Sequence, residues 1–208
     1  MIDQAMIEKC SDPSLTPAIV EQFVSSAGAD DPLTLTIKSD GRLLLIPKPR
    51  TPDEGLAALR EYVGRAGVRV GITQIPAGIG TTDVSKLDRS LFDACTNLKE
   101  GTALFAKVAR IVTHWYGSPT NKDILPQMVD DAIYAWKTGY FEGTEVFLAA
   151  DPGGETFLRE GFRPKDLGGD RSSDTEASGR VKQEASQPDA NSGSAEMRID
   201  LTRIGGQK

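Results

Sequence analysis

The stretch GVRVGITQIPAGIG, residues 67–80, decides how the rest of the chain is read. Val68, Val70, Ile72 and Ile75 make it apolar, and β-branching at all four positions disfavours helix slightly. Gly71, Gly78 and Gly80 let the backbone approach other groups closely or take positive φ. Gln74 carries a side-chain amide, with both a donor and an acceptor, among apolar neighbours. A buried amide must find partners, and an exposed one is free to meet a ligand. Taken by itself, the stretch is a buried connecting strand with Gln74 satisfied by backbone.

Upstream, Thr51-Pro52-Asp53-Glu54 is a capping box with proline at the first helical position. Leu56, Leu59, Val63 and Ala66 line the buried face of that helix, and Gly67 closes it. Earlier, LTLTIK alternates from Leu33, SDG turns, and RLLLIP returns. This predicts a β-hairpin over residues 33–47 with Asp40-Gly41 at its tip, ended by Pro47, Pro49 and Pro52. Thr16-Pro17 starts a further helix, whose buried face is Val20, Phe23, Val24 and Ala27, and Gly28 stops it. Residues 1–15 read as a lead-in.

Downstream, residues 81–90 read as polar loop. SLFDACTNLKEGTALFAKVARIVTHWYG places Leu98, Phe105, Val108 and Val112 at helical spacing. Gly101 lies inside that helix, where glycine costs about 1 kcal/mol against alanine, so a close packing contact is expected there. A helix over residues 122–137 follows, with Leu125, Val129, Ala132, Ile133 and Trp136 on one side and Gly139 at its end. Residues 140–162 are apolar enough to pack back on the body. From about Pro164 the composition turns to Gly, Ser, Asp and Glu, which predicts disorder over residues 165–196. MRIDLTRI, residues 197–204, restores alternation, and reads as a plain tail or as a strand that adds to a sheet edge. The expected organisation is a domain over residues 1–160, a disordered linker over 161–196 and a short C-terminal segment over 197–208.

The chain has 208 residues and a net charge of −6, which gives no footing for nonspecific nucleic-acid binding. No run is long enough to span a bilayer; the densest aliphatic patch is LLLI, residues 43–46. The start, MIDQAMIEKC, lacks the basic and apolar parts of a secretory signal, so the expected compartment is the cytoplasm. Export by another route, or a misassigned start, would place it in the periplasm instead. Cys10 and Cys95 are not in metal-binding spacing and are either two buried thiols or one disulfide. A disulfide would imply an oxidising compartment. His114 is the sole histidine, so a metal cluster or a Ser-His-Asp triad would have to be built around it, and neither a metal nor a cofactor is expected. Gly78-Ile79-Gly80 lacks the lysine of a phosphate loop, and Asp130-Asp131 reads as a solvated helix face. Trp115, Tyr116, Trp136 and Tyr140 could stack on sugar or fill the core.

Four collinear landmarks resemble the lytic-transglycosylase-like proteins of type IV secretion and conjugation systems. Cys10 with the approach to TPAIV resembles the family's opening cysteine and first helix. VGITQI, residues 70–75, is similar to V-G-L-x-Q-I-N. LFDACTNLKEG, residues 91–101, is similar to F-D-P-C-x-N-L-x-x-G, and AIYAWKTG, residues 132–139, resembles A-L-S-A-Y-N-T-G. The resemblance spans roughly residues 10–143. It implies a lysozyme-like fold, an α+β and mainly α domain with the small β-hairpin, and Cys10 and Cys95 near each other as a possible disulfide. It also implies a groove lined by Phe23, Gln74, Ile75, Pro76, Trp136 and Lys137, with Gln74 on the substrate.

The residues depart from that family where the chemistry is done. The family's acid, a glutamate near the end of the first helix, must be a carboxyl kept protonated in an apolar cleft. Its position here falls on Phe23 counting forward from AIV, or on Ala27 counting back from Pro32. Neither is acidic. Glu21, the nearest carboxylate, lies about 200° around the helix from Phe23 and reads as a surface residue. Pro76 stands in place of the family's asparagine, and Trp136-Lys137 in place of its Tyr-Asn pair. The expected function is therefore an accessory protein of plasmid conjugal transfer with a degenerate, non-catalytic cleft. Its expected partners are components of the transfer apparatus, or peptidoglycan. Two alternatives stand beside it: an active peptidoglycan lytic transglycosylase using Glu21 or Asp31, and a cytosolic regulatory or adaptor protein.

Overall fold

A computed structural model of the chain describes residues 2–79, 83–119 and 121–156, all within one compact unit. The expected linker and C-terminal segment, and the boundary at residue 160, lie outside the described residues.

The expected lead-in is itself helical. Asp3 caps α1 (Gln4–Cys10) by accepting from the Ala5 N–H, and Ile7 and Cys10 are buried. Thr16 caps α2 (Pro17–Ala27) by accepting from the Ile19 N–H. The chain then forms β1 (Leu35–Ser39) and β2 (Arg42–Leu44), whose tip carries Asp40 and Gly41 at φ 50° and 75°. Positive φ at both central residues gives the turn a twist that matches the strands. Thr51 and Glu54 form the capping box of α3 (Pro52–Tyr62): Thr51 Oγ accepts from the Glu54 N–H, and Glu54 accepts from the Arg50 N–H.

The opening stretch is a hairpin rather than one connecting strand. It forms β3 (Gly67–Val70), a turn through residues 71–74, and β4 (Ile75–Ala77). The antiparallel sheet has the order β2-β1-β3-β4, so the single hairpin expected over residues 33–47 is half of a four-stranded sheet. Only the first half could be seen from alternation, because Gly71 and the paired Thr73-Gln74 break the second. Pairing Leu35 with Val70, and Val70 with Ile75, puts the apolar row on the core face. The intervening row is Thr36, Arg69 and Pro76, on the opposite face. At the far edge Leu43 and Leu45 are 56% and 91% exposed, bounded by Arg42 and Pro47.

Beyond the sheet, two 3₁₀ turns, Val84–Lys86 and Arg89–Phe92, occupy the expected polar loop. Asp93 caps α4 (Ala94–Trp115), which packs along α5 (Leu125–Thr138). Gly139, in the left-handed region at φ 82°, ends α5 and leads into the short hairpin β5 (Tyr140–Phe141) and β6 (Thr144–Glu145). Arg110 on α4 pairs with Asp151, and Thr156 donates to the Ser14 carbonyl, so the last described residues are fastened to the helices.

The core is centred on three rings. Phe23 stacks on Phe105 with centroids 4.1 Å apart, and Trp136 meets Phe23 edge-on at 5.0 Å; all three are fully buried. Such pairs add roughly 0.5–1.5 kcal/mol each beyond the area they bury. The close contact expected at Gly101 is present: a Cβ there would overlap the Thr73 side chain. Cys10 at the end of α1 and Cys95 at the start of α4 form a disulfide, with Cα atoms 5.2 Å apart. The fold is thus α+β and mainly helical.

Candidate functional site

The sheet's second face and the end of α5 enclose a cleft of about 470 Å³. Thr36, Lys38, Arg69 and Pro76 line it from the sheet; Lys137, Thr138 and Tyr140 line it from α5 and the following strand. Phe147 and Leu148 close it on an apolar side. It forms because alternation sends Val68 and Val70 to the core, leaving Arg69 to face α5.

Arg69 is the residue that builds this cleft. Its guanidinium donates to the carbonyls of Gln74 (3.1 Å), Trp136 and Lys137 (3.2 Å), bridging the β3–β4 turn to the last turn of α5. Those helix-end carbonyls have no intrahelical partner and carry the negative end of the helix dipole, so a cation is favoured there. The guanidinium also lies over the Trp136 and Phe147 rings, at 5.9 and 5.5 Å from their centroids. Burial pulls Arg69 down to about 10, which still leaves it charged at neutral pH. Sequence reading missed this residue, although its place between Val68 and Val70 was the available signal.

Of the expected groove residues, Pro76 and Lys137 line the cleft. The others do not. Phe23 and Trp136 are fully buried in the ring cluster, with the Trp136 Nε1–H donating to the Thr73 carbonyl at 3.1 Å. Ile75 is buried on the core face. Gln74 is buried at φ 52°, and its Nε2 donates to the Gly71 carbonyl at 2.8 Å, closing its own turn. The amide is therefore satisfied by backbone. Ala27 packs against the core and is not among the cleft's lining residues.

The carboxylates fall elsewhere too. Glu21 is exposed and lines a separate recess with Ile2, Ile7 and Val24. Asp31 accepts from Lys48 at 2.6 Å and from the Leu33 N–H at 2.7 Å. The Lys48 bond, then the backbone one, hold its carboxyl below the usual range, opposite to what a protonated acid needs. The cleft's own carboxylate is Glu145, exposed and engaged by the Tyr140 hydroxyl at 2.5 Å. That bond pushes the Tyr140 hydroxyl up.

Across Tyr140 lies a second recess of about 400 Å³ between the ends of α4 and α5. Trp115, Tyr116, Tyr134 and Phe141 line it together with Tyr140, so Trp115, Tyr116 and Tyr140 are brought together, apart from Trp136. Among the described residues, no group of three or more His, Cys, Asp or Glu is placed to hold a metal ion. No described helix is long and apolar enough to cross a membrane.

The architecture is that of a mainly helical α+β domain with an open cleft where a small sheet meets a helix C-terminus. The chain belongs to the TraH_2 family, a family of TraH-type conjugal-transfer proteins, which matches residues 1–206. It is 51% identical over 208 residues to the uncharacterized protein y4dP of Sinorhizobium fredii, covering 99% of this chain and 100% of that protein. No solved structure matches it.

Proposed function

We propose that this protein is a non-catalytic accessory component of the conjugal-transfer apparatus, a lysozyme-like domain whose degenerate cleft serves binding rather than cleavage. The observation that carries the reading is the lining of the cleft by Pro76 and Lys137. These stand where the resembled family has its asparagines, yet among the described residues no carboxyl in an apolar setting faces them. Glu145 is open to water and bonded to the Tyr140 hydroxyl, not enclosed in the apolar setting that a glycosidic acid needs. Lys38, Arg69 and Lys137 make the cleft cationic, a fit for an acidic or carbonyl-rich segment of a transfer component, or for the carboxylates of peptidoglycan stems.

The disulfide supports placing the domain in the periplasm, because such bonds persist in oxidising compartments. Peptidoglycan digestion tests the proposal. Purified protein should release no anhydro-muropeptides, and Glu145→Gln and Glu21→Gln should leave that blank unchanged. Release that either substitution abolishes would make the protein a transglycosylase. Fractionation of native cells with thiol labelling should find the protein in the periplasm with both cysteines blocked; labelled thiols in the cytosolic fraction would favour the adaptor reading.

A further inference from the structure

The recess across Tyr140 has a chemistry opposite to that of the cleft. Five aromatic side chains line it: Trp115, Tyr116, Tyr134, Tyr140 and Phe141. Three of them are unusually open to water, with Trp115 at 55%, Tyr134 at 63% and Tyr140 at 53% exposure. Among the described residues its charged lining is Asp131 and Glu142, with no lysine, arginine or histidine.

Ring geometry distinguishes the ligands such a lining suits. A sugar stacks on a flat platform. Here Trp115 stands at 78° to Tyr116, with centroids 4.9 Å apart, and at 78° to Phe141, with centroids 5.5 Å apart. Rings packed edge to face build no flat platform, and exposed π-faces opening on an acidic recess suit a cation. Asp131 is fixed in the wall, accepting from the Tyr116 hydroxyl at 2.7 Å and from the Gln127 amide at 3.0 Å. Glu142, on the β5–β6 turn at φ 45°, is the second carboxylate of the lining.

We infer that this aromatic recess binds an organic cation, an alkylammonium or guanidinium group, with the exposed rings of Trp115, Tyr134 and Tyr140 as π-faces and Asp131 and Glu142 as counterions. The site is independent of the cleft proposal, and its failure would leave that proposal standing.

The test uses the full chain labelled with 5-fluorotryptophan, whose two tryptophan signals separate exposed Trp115 from buried Trp136. Choline is titrated against its uncharged isostere 3,3-dimethylbutan-1-ol, and the peptide acetyl-Gly-Arg-Gly-amide against its citrulline counterpart. Each cation should shift the Trp115 signal with at least tenfold tighter binding than its neutral partner, leaving Trp136 in place. Glu142→Gln should weaken cation binding several-fold in the same titration, and Trp115→Ala should abolish the binding heat that isothermal calorimetry gives for the parent protein, with unchanged circular dichroism in both. Binding of choline alone would assign a free small cation; binding of the arginine peptide alone would assign a basic side chain of a partner. Equal binding of charged and neutral probes overturns the inference, as does a Trp115 shift produced only by tetra-N-acetylchitotetraose.

Discussion

The side-chain amide of Asn97 grips Thr73 twice, its Oδ1 accepting from the Thr73 N–H at 2.9 Å and from the Thr73 hydroxyl at 2.8 Å. Its Nδ2 donates to the carbonyls of Val70 (3.0 Å) and Leu91 (2.9 Å), so one buried amide joins α4, the β3–β4 turn and the segment before α4. Both glycines beside it are needed for contact. A Cβ at Gly71 would overlap the Asn97 amide, and one at Gly101 would overlap Thr73. This node sets the distance between the helices and the sheet, and hence the floor of the cleft.

Asn97→Ala should lower stability by about 2–4 kcal/mol, since it strands two buried donors and two buried carbonyls at once. Gly101→Ala should also destabilise, despite the helix-propensity gain of about 1 kcal/mol that alanine brings. Urea denaturation measures both. A midpoint unchanged in Asn97→Ala would show that the node does not hold the fold.

Arg69→Lys should recover little of what Arg69→Met loses. The three carbonyls around Arg69 match a planar fork, and a lysine ammonium cannot reach all of them in one rotamer. We expect a loss of about 2–3 kcal/mol for Arg69→Met, with the end of α5 fraying first. Amide exchange at residues 135–139 measures that fraying, which should exceed the change elsewhere in the helix.

Reduction of the Cys10–Cys95 bond should destabilise the domain strongly. The bond closes a sequence separation of 85 residues, for which the chain-entropy account gives about 4–5 kcal/mol. Thermal melts with and without reductant, alongside Cys10→Ser with Cys95→Ser, should agree. If the paired variant melts with the oxidised protein, the bond contributes nothing.

Tyr116 should ionise late, well above the ordinary tyrosine range. The hydrogen bond it donates to Asp131, reinforced by burial and by the carboxylate's charge, pushes its hydroxyl up to about 12. A raised folded value means that the contribution to stability is complete below the unfolded value near 10 and is lost between there and about 12. Absorbance titration at about 295 nm should show a late step that Tyr116→Phe removes.

Local chemistry determined much of this protein from sequence alone. The caps at Thr16 and Thr51 and the tip at Asp40-Gly41 act through bonds spanning a few residues, so they can be read wherever they occur. The faces of α4 and α5 followed from periodicity, and Gly101 announced its close contact by standing where a helix disfavours it. Tertiary structure alone decided which neighbours part company. Trp136 and Lys137 are adjacent in sequence, yet one fills the core and the other lines the cleft, because helix docking sets which side of a 100° step is buried. Arg69 became the cleft's organiser only when β3 paired so as to point it at carbonyls nearly 70 residues away. The recess around Trp115 arose from the same cause: α4, α5 and a two-residue strand bring its rings together, and no local pattern encodes the angle between them.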